Sequence, residues 1–266
     1  MLGTPPMTFR KTLISLVTTY TLLHFSPVLA ASAPVFTPEQ EAQIGKIAAD
    51  YLVAHPEVLV QVSQKLQQQE QARQQMALTQ KVMENQDALL RDKDTPVIGP
   101  QDASVAVIEF FDYQCIYCSK LAPELEKVMK ASPDVRYIFK EWPIFASRWE
   151  NSEKAALRGL DVWKQKGAAG YAIYHNSIYH TGHNEGQLTV EDINAAAKAA
   201  GATDKLQADY SNILENTNTL AQTLELTGTP GLIVMPVKGA NPENITVFPG
   251  LASAEQIQAA IKKASH

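Results

Sequence analysis

One stretch limits this chain more than any other. Residues 105–111, VAVIEFF, form a short apolar run rich in β-branched and aromatic residues, and YQCIYCSKLAP comes almost at once after it. The run reads as a buried strand, and the segment from Cys115 to Ala131 reads as a helix. The two cysteines, Cys115 and Cys118, are the only ones in the 266 residues. A sulfur at the first turn of a helix meets N–H groups that lack intrahelical partners and the positive end of the helix dipole. Both favour thiolate, and cysteines so placed titrate at roughly 3.5–7.5 rather than about 8.5. A stabilised thiolate is both an attacker and a good leaving group. Cys118, one turn further in, is placed to resolve a mixed disulfide on Cys115.

Other uses of the pair fit less well. Structural zinc wants four ligands, and the only close histidines, His180 and His183, lie in a polar loop that the fold would have to bring to the cysteines. Copper on two thiolates is chemically allowed as a secondary role. An inert bridge across two residues would constrain little of the unfolded chain. The reading is a reversible disulfide, with no cofactor and no metal assigned.

The N-terminus sets the compartment. Phe9-Arg10-Lys11 supplies positive charge, Thr12 to Phe25 is largely apolar, and Val28-Leu29-Ala30 ends in small residues, as a secretory signal does. The apolar core of about 14 residues is short of the roughly 20 that span a membrane. Residues 1–30 are therefore expected to be a signal peptide cleaved after Ala30, with Met7 an alternative start, and the protein is expected in a bacterial periplasm, where disulfides persist. With a net charge of −5 and no basic stripe, the chain offers nucleic acid no surface.

Along the rest of the chain, Thr37 to about Arg91 reads as helix. Thr37, Pro38 and Gln40 make a capping start. Ile44, Ile47, Tyr51 and Leu52 share a face, and His55-Pro56 interrupts. QQQEQARQQ offers little to bury, and Val82, Met83, Leu89 and Leu90 resume the apolar pattern. The expectation is an arm with two sticky ends and a wet middle, self-associating rather than folded back. From Asp94-Thr95-Pro96 the order is that of an α/β domain: strand, helix, strand over 135–140, a helical block from about 150 to 226, strands at 232–235 and 245–248, and a last helix capped by Ser253.

These residues resemble the DsbA-like thiol-disulfide oxidoreductases of the thioredoxin fold. Pro123 stands where such proteins kink the active-site helix. Glu109 stands where they keep a buried acid, and Thr229-Pro230-Gly231 where they carry a cis-proline loop. The block from about 146 to 226 resembles their helical insertion. The arm ahead of such a domain is similar to that of the trimeric ScsC/BcfH-type disulfide isomerases. The resemblance implies an α/β thioredoxin fold over residues 94–266, preceded by an oligomerisation arm over 31–93. It implies a catalytic set of Cys115, Cys118 and Glu109, with Glu109 taking the Cys118 proton and Lys140, on the neighbouring strand, as the candidate partner of Glu109. Thr229, Pro230, Tyr117 and Ile116 would contact substrate. Tyr117 stands where the strongest oxidants have histidine, so a less oxidising disulfide is expected. Implied partners are wrongly disulfide-bonded exported proteins, a membrane thiol reductase and further copies of the chain. The alternatives are a dithiol oxidase and a copper-binding or holdase module.

Overall fold

The computed structural model describes residues 35–265; the expected signal peptide lies outside the described residues. The chain forms two compact units, the first ending at Val60 and the second beginning at Gln61. In the first, helix α1 (Pro38–Ala54) starts at the expected capping box: Thr37 Oγ1 accepts from the Gln40 N–H, and the Gln40 side chain accepts from the Thr37 N–H. His55 ends it, and α2 (Glu57–Glu84) starts just after Pro56. Among the described residues, no helix is long and apolar enough to cross a membrane.

The second unit is built on a five-stranded sheet. Its strands are β1 (Val97–Ile98), β2 (Val105–Phe111), β3 (Arg136–Glu141), β4 (Gly231–Pro236) and β5 (Thr246–Phe248), in the order β1-β3-β2-β4-β5. Strands β2 and β3 are parallel, and every other pairing is antiparallel. All seven residues of β2 are buried, as a central strand covered on both faces requires. This is the thioredoxin fold.

One face of the sheet carries α4 (Ile116–Ala131), α5 (Asn151–His180) and α8 (Ala254–Ala264). Helix α6 (Val190–Ala199) packs against α5. Helix α5 is bent where Gly167 takes a φ of 64°, a left-handed conformation open to glycine. The bend returns Tyr171, Tyr174 and His175 to the core.

The opposite face holds a correction. Val82 from the end of α2, and Leu89 and Leu90 from α3 (Gln86–Leu90), are buried against Ala106, Ile108, Phe110, Ile138 and Ile233, together with Leu220 from α7 (Ser211–Thr223). The last turns of the expected arm are thus folded back as part of the domain's core, and no packing boundary falls at residue 93. The cause is the bare sheet face: the insertion covers it only with α7. Each large apolar side chain buried there contributes about 1.5–3 kcal/mol. The upstream apolar residues remain exposed, among them Ile44, Ile47 and Tyr51 in the first unit and Val62 and Leu66 in the second.

Candidate active site

Cys115 is the N-cap of α4, and its sulfur lies 3.2 Å from the Thr229 carbonyl oxygen, to which it donates when it is the neutral thiol. The Thr229–Pro230 peptide bond is cis. Sequence-distant Thr229 and Pro230 thus lie against Cys115. Both cysteines are free thiols and buried, Cys118 completely. Ile116 is half-buried, while Tyr117 is 55% exposed, with the Lys120 ammonium 5.4 Å from its ring centroid.

The two sulfurs differ sharply. Hydrogen bonding from the Cys118 thiol, helped by the Thr229 side chain and by backbone N–H groups of the first helical turn, lowers Cys115 from 9.0 to about 6 despite the opposing effect of burial. Burial first, then the hydrogen bond and the charge on Cys115, push Cys118 well above its ordinary value. The outer sulfur is thus held as thiolate at neutral pH and the inner as thiol, the division of labour that attack and resolution need. Glu109, beneath them on β2, is 1% exposed, and neither carboxyl oxygen has a hydrogen-bond partner. Burial, with a contribution from Cys115, raises it to about 8.

The loop before Cys115 is clamped by Asp112, a residue that sequence reasoning passed over. Its carboxylate accepts from the N–H groups of Gln114 (2.8 Å) and Phe145 (2.9 Å) and from the Ser152 hydroxyl (2.7 Å). Its carbonyl oxygen accepts from the Cys115 N–H at 3.0 Å. Gln114 accepts from the N–H of Glu185 through its carbonyl oxygen and from that of Gly186 through Oε1, tying the loop to the turn after α5. Short polar residues in a loop carry no periodic signal, so nothing but an aspartate ahead of a helix cap hinted at this role.

Lys140 does not partner Glu109, nor is it exposed. Side chains alternate across a strand; Glu109 shares its face with Val107 and Phe111, whereas Lys140 shares the other face with Ile138 and Trp142. Its ammonium donates to Asp92 Oδ2 (2.7 Å), Thr95 Oγ1 (2.8 Å) and the Ala88 carbonyl oxygen (3.1 Å). The residue on the cysteine side of β3 is its neighbour Glu141, also missed. Its Oε1 accepts from the hydroxyls of Tyr171 (2.8 Å) and Tyr113 (3.1 Å). The histidine pair is occupied elsewhere: His180 Nδ1 bonds the Asn176 carbonyl oxygen, and His183 Nδ1 bonds Asp192. Among the described residues, no group of three or more ligating side chains is arranged for a metal.

A low-pKa cysteine capping a helix, a second, fully buried thiol behind it and a cis-proline loop against the first, on this fold, define a thiol-disulfide oxidoreductase of the DsbA type. Comparison with known proteins agrees. The thioredoxin family model matches residues 91–263, and the model of the copper resistance protein ScsC N-terminal domain matches residues 40–73. The chain belongs to the thioredoxin family. Salmonella enterica Typhimurium BcfH is 39% identical, with a TM-score of 0.73, covering 86% of this chain and 97% of that one. A linker-deletion mutant of Proteus mirabilis ScsC is 27% identical, with a TM-score of 0.61, covering 88% and 99%. Disulfide bond formation protein D of Bacillus subtilis (strain 168) is 24% identical over 185 residues, 64% of this chain and 77% of that protein.

Proposed function

We propose that this protein is a periplasmic disulfide isomerase or reductase that acts on wrongly bonded exported proteins and self-associates, as a trimer, through its N-terminal helices. The Cys115 thiolate attacks a substrate disulfide, forming a mixed disulfide and expelling one substrate sulfur as thiolate. In isomerisation a different substrate thiolate attacks the substrate sulfur of the mixed disulfide, forming a new substrate disulfide and expelling Cys115 as thiolate, with no net transfer of electrons. In reduction, Glu109 takes the Cys118 proton and the Cys118 sulfur attacks the Cys115 sulfur. The bond from Cys115 to substrate breaks, and its electron pair leaves on the second substrate sulfur. The substrate gains two electrons, the Cys115–Cys118 disulfide forms, and a membrane thiol reductase must restore the dithiol. Thr229 and Pro230 dock the substrate chain, with Ile116 and Tyr117 bordering the sulfur.

The observation that carries isomerase over monomeric oxidase is the exposed apolar face of the ScsC-like segment. Ile47 and Tyr51 are 68% and 55% exposed in the single chain, and adjacent apolar residues of this kind call for a partner surface. The test is reactivation of scrambled ribonuclease by the reduced, signal-free protein; no recovered activity removes this reading. Deletion of residues 31–60, which leaves α3 and the buried turns of α2 in place, should lower the mass in light scattering to that of a monomer and abolish isomerisation. Unchanged mass refutes the assignment of the arm.

A dithiol oxidase is the second reading, favoured by the low Cys115 value, because a stable thiolate makes the disulfide more oxidising. Rescue of an oxidase-deficient strain by the full chain would select it. A copper-binding protein would lose metal when both cysteines become serine, whereas a holdase would keep its activity.

A further inference from the structure

Among the described residues, three carboxyl groups are buried on or beside the cysteine face of the sheet: Glu109, Asp112 and Glu141. The two buried cations are committed elsewhere, Lys140 on the opposite face and Arg158 to Asp161 and the Thr203 carbonyl oxygen. Three such anions cannot coexist in a low-dielectric core without a cation. Donors rank them. Asp112 accepts three hydrogen bonds, and Glu141 accepts two, both on Oε1. Glu109 accepts none, and Glu141 Oε2 is buried without a partner as well.

Placement relates Glu141 to Glu109. In the parallel register Glu109 lies opposite Phe139, and Glu141 lies opposite Phe111, so the two acids are diagonal neighbours on one face of adjacent strands. Glu141 is faced by Glu109 and Asp112 from β2 and its end, by Tyr113 from the turn beyond it, and by Tyr171, Tyr174 and Tyr179 from α5. His175, beside Tyr171, is kept neutral by burial. Helix α5 leaves room for the carboxyl at Gly159, where a Cβ would stand 2.5 Å from Glu141 Oε1. An acid so enclosed costs stability, and such groups cluster where chemistry is done.

We propose that Glu141 is a positioning residue for the thiol-disulfide step: it remains a protonated acid and, once Glu109 ionises, donates through Oε2 to the Glu109 carboxylate, a hydrogen bond that neither group makes in this structure. This rests on Glu109 as the acceptor of the Cys118 proton. In the step, the Cys118 proton passes to Glu109 and the Cys118 sulfur attacks Cys115; Glu141 keeps its proton and changes no oxidation state. Burial raises both acids, Glu109 to about 8 and Glu141 well above the carboxylate range, in keeping with Glu109 ionising while Glu141 does not.

The test is the two-phase reaction of the full reduced chain with Ellman's reagent in stopped flow. The first phase is attack by Cys115, and the second is resolution by Cys118. Glu141→Leu should slow the second phase at pH 7 at least about tenfold, the loss of one hydrogen bond to a charged group, and move its pH midpoint upward, leaving the first phase unchanged. Glu141→Gln, whose amide still donates, should keep a near-native midpoint. Glu141→Leu should add nothing in a Glu109→Gln background. A native profile in Glu141→Leu, or equal shifts in both Glu141 variants, overturns the proposal. If Glu109→Gln leaves the second phase untouched, the acceptor reading itself fails, and the proposal with it. Should Glu141→Leu not fold, infrared spectra decide. A buried protonated carboxyl band should outlast Glu109 titration in the native protein and be missing in Glu141→Gln; a native protein without it refutes the proposal.

Discussion

Replacing Cys118 by alanine probes the source of the Cys115 thiolate, because the Cys118 thiol is the largest contributor to it. The fall from 9.0 to about 6 corresponds to about 4 kcal/mol of preference for the charged form, an upper figure because water at the rim of the site screens it. At pH 7 a thiol with that value is about nine-tenths ionised, against about 3% for an ordinary thiol near 8.5. The rate of alkylation will not rise by that whole factor of about thirty. Intrinsic nucleophilicity falls with pKa, here by about tenfold, leaving a net gain of about threefold. The midpoint of the rate against pH is therefore the sharper readout. Thiolate absorbance and iodoacetamide kinetics, both monitored from pH 4 to 10, should give a midpoint near 6 in the native dithiol and a higher one in Cys118→Ala. Stability has the same sign. A folded value below the unfolded one stabilises the dithiol protein fully above pH about 9, and the contribution is lost as pH falls through about 6. At pH 7 roughly 1 kcal/mol remains after screening. A native midpoint above 8, or one unmoved by Cys118→Ala, would refute the account of the thiolate.

Three further perturbations separate the faces of the sheet. Lys140→Met should destabilise the domain by about 1–3 kcal/mol in urea, because it removes the ammonium from the partly buried Asp92 carboxylate and leaves the Ala88 carbonyl oxygen without that donor. The alkylation midpoint should stay put, since the ammonium lies across the sheet from the sulfurs. Gly159→Ala should cost about 1–3 kcal/mol by driving a methyl against the Glu141 carboxyl, measured by the same unfolding curve. Leu89→Ala should cost about 2–5 kcal/mol, because Leu89 is fully buried in the core; a free arm would lose almost nothing.

Much of the site was legible because its signals are local. A strand leading into a helix-capping cysteine, a second cysteine one turn on, and a threonine-proline ahead of an apolar strand are short patterns whose chemistry travels with them. The capping box at Thr37 and the cap at Ser253 were equally readable and are present. The two-residue strand β1 escaped, too short for periodicity. Lys140 and Glu141 escaped for another reason. Adjacent positions on a strand point to opposite faces, and a one-residue error in register exchanges them.

From the residues alone came the reactive pair, the order of strands and helices and the apolar stripe of the N-terminal helices, because each depends on neighbours close in the chain. Only the folded molecule decided that the turns around Val82 to Leu90 complete the domain's core and that Thr229 meets Cys115. It also decided that Glu141, not Lys140, shares the cysteine-facing side of the sheet with Glu109. Those facts depend on which surfaces meet across the sheet, and contacts between distant segments are set by packing that no local pattern carries.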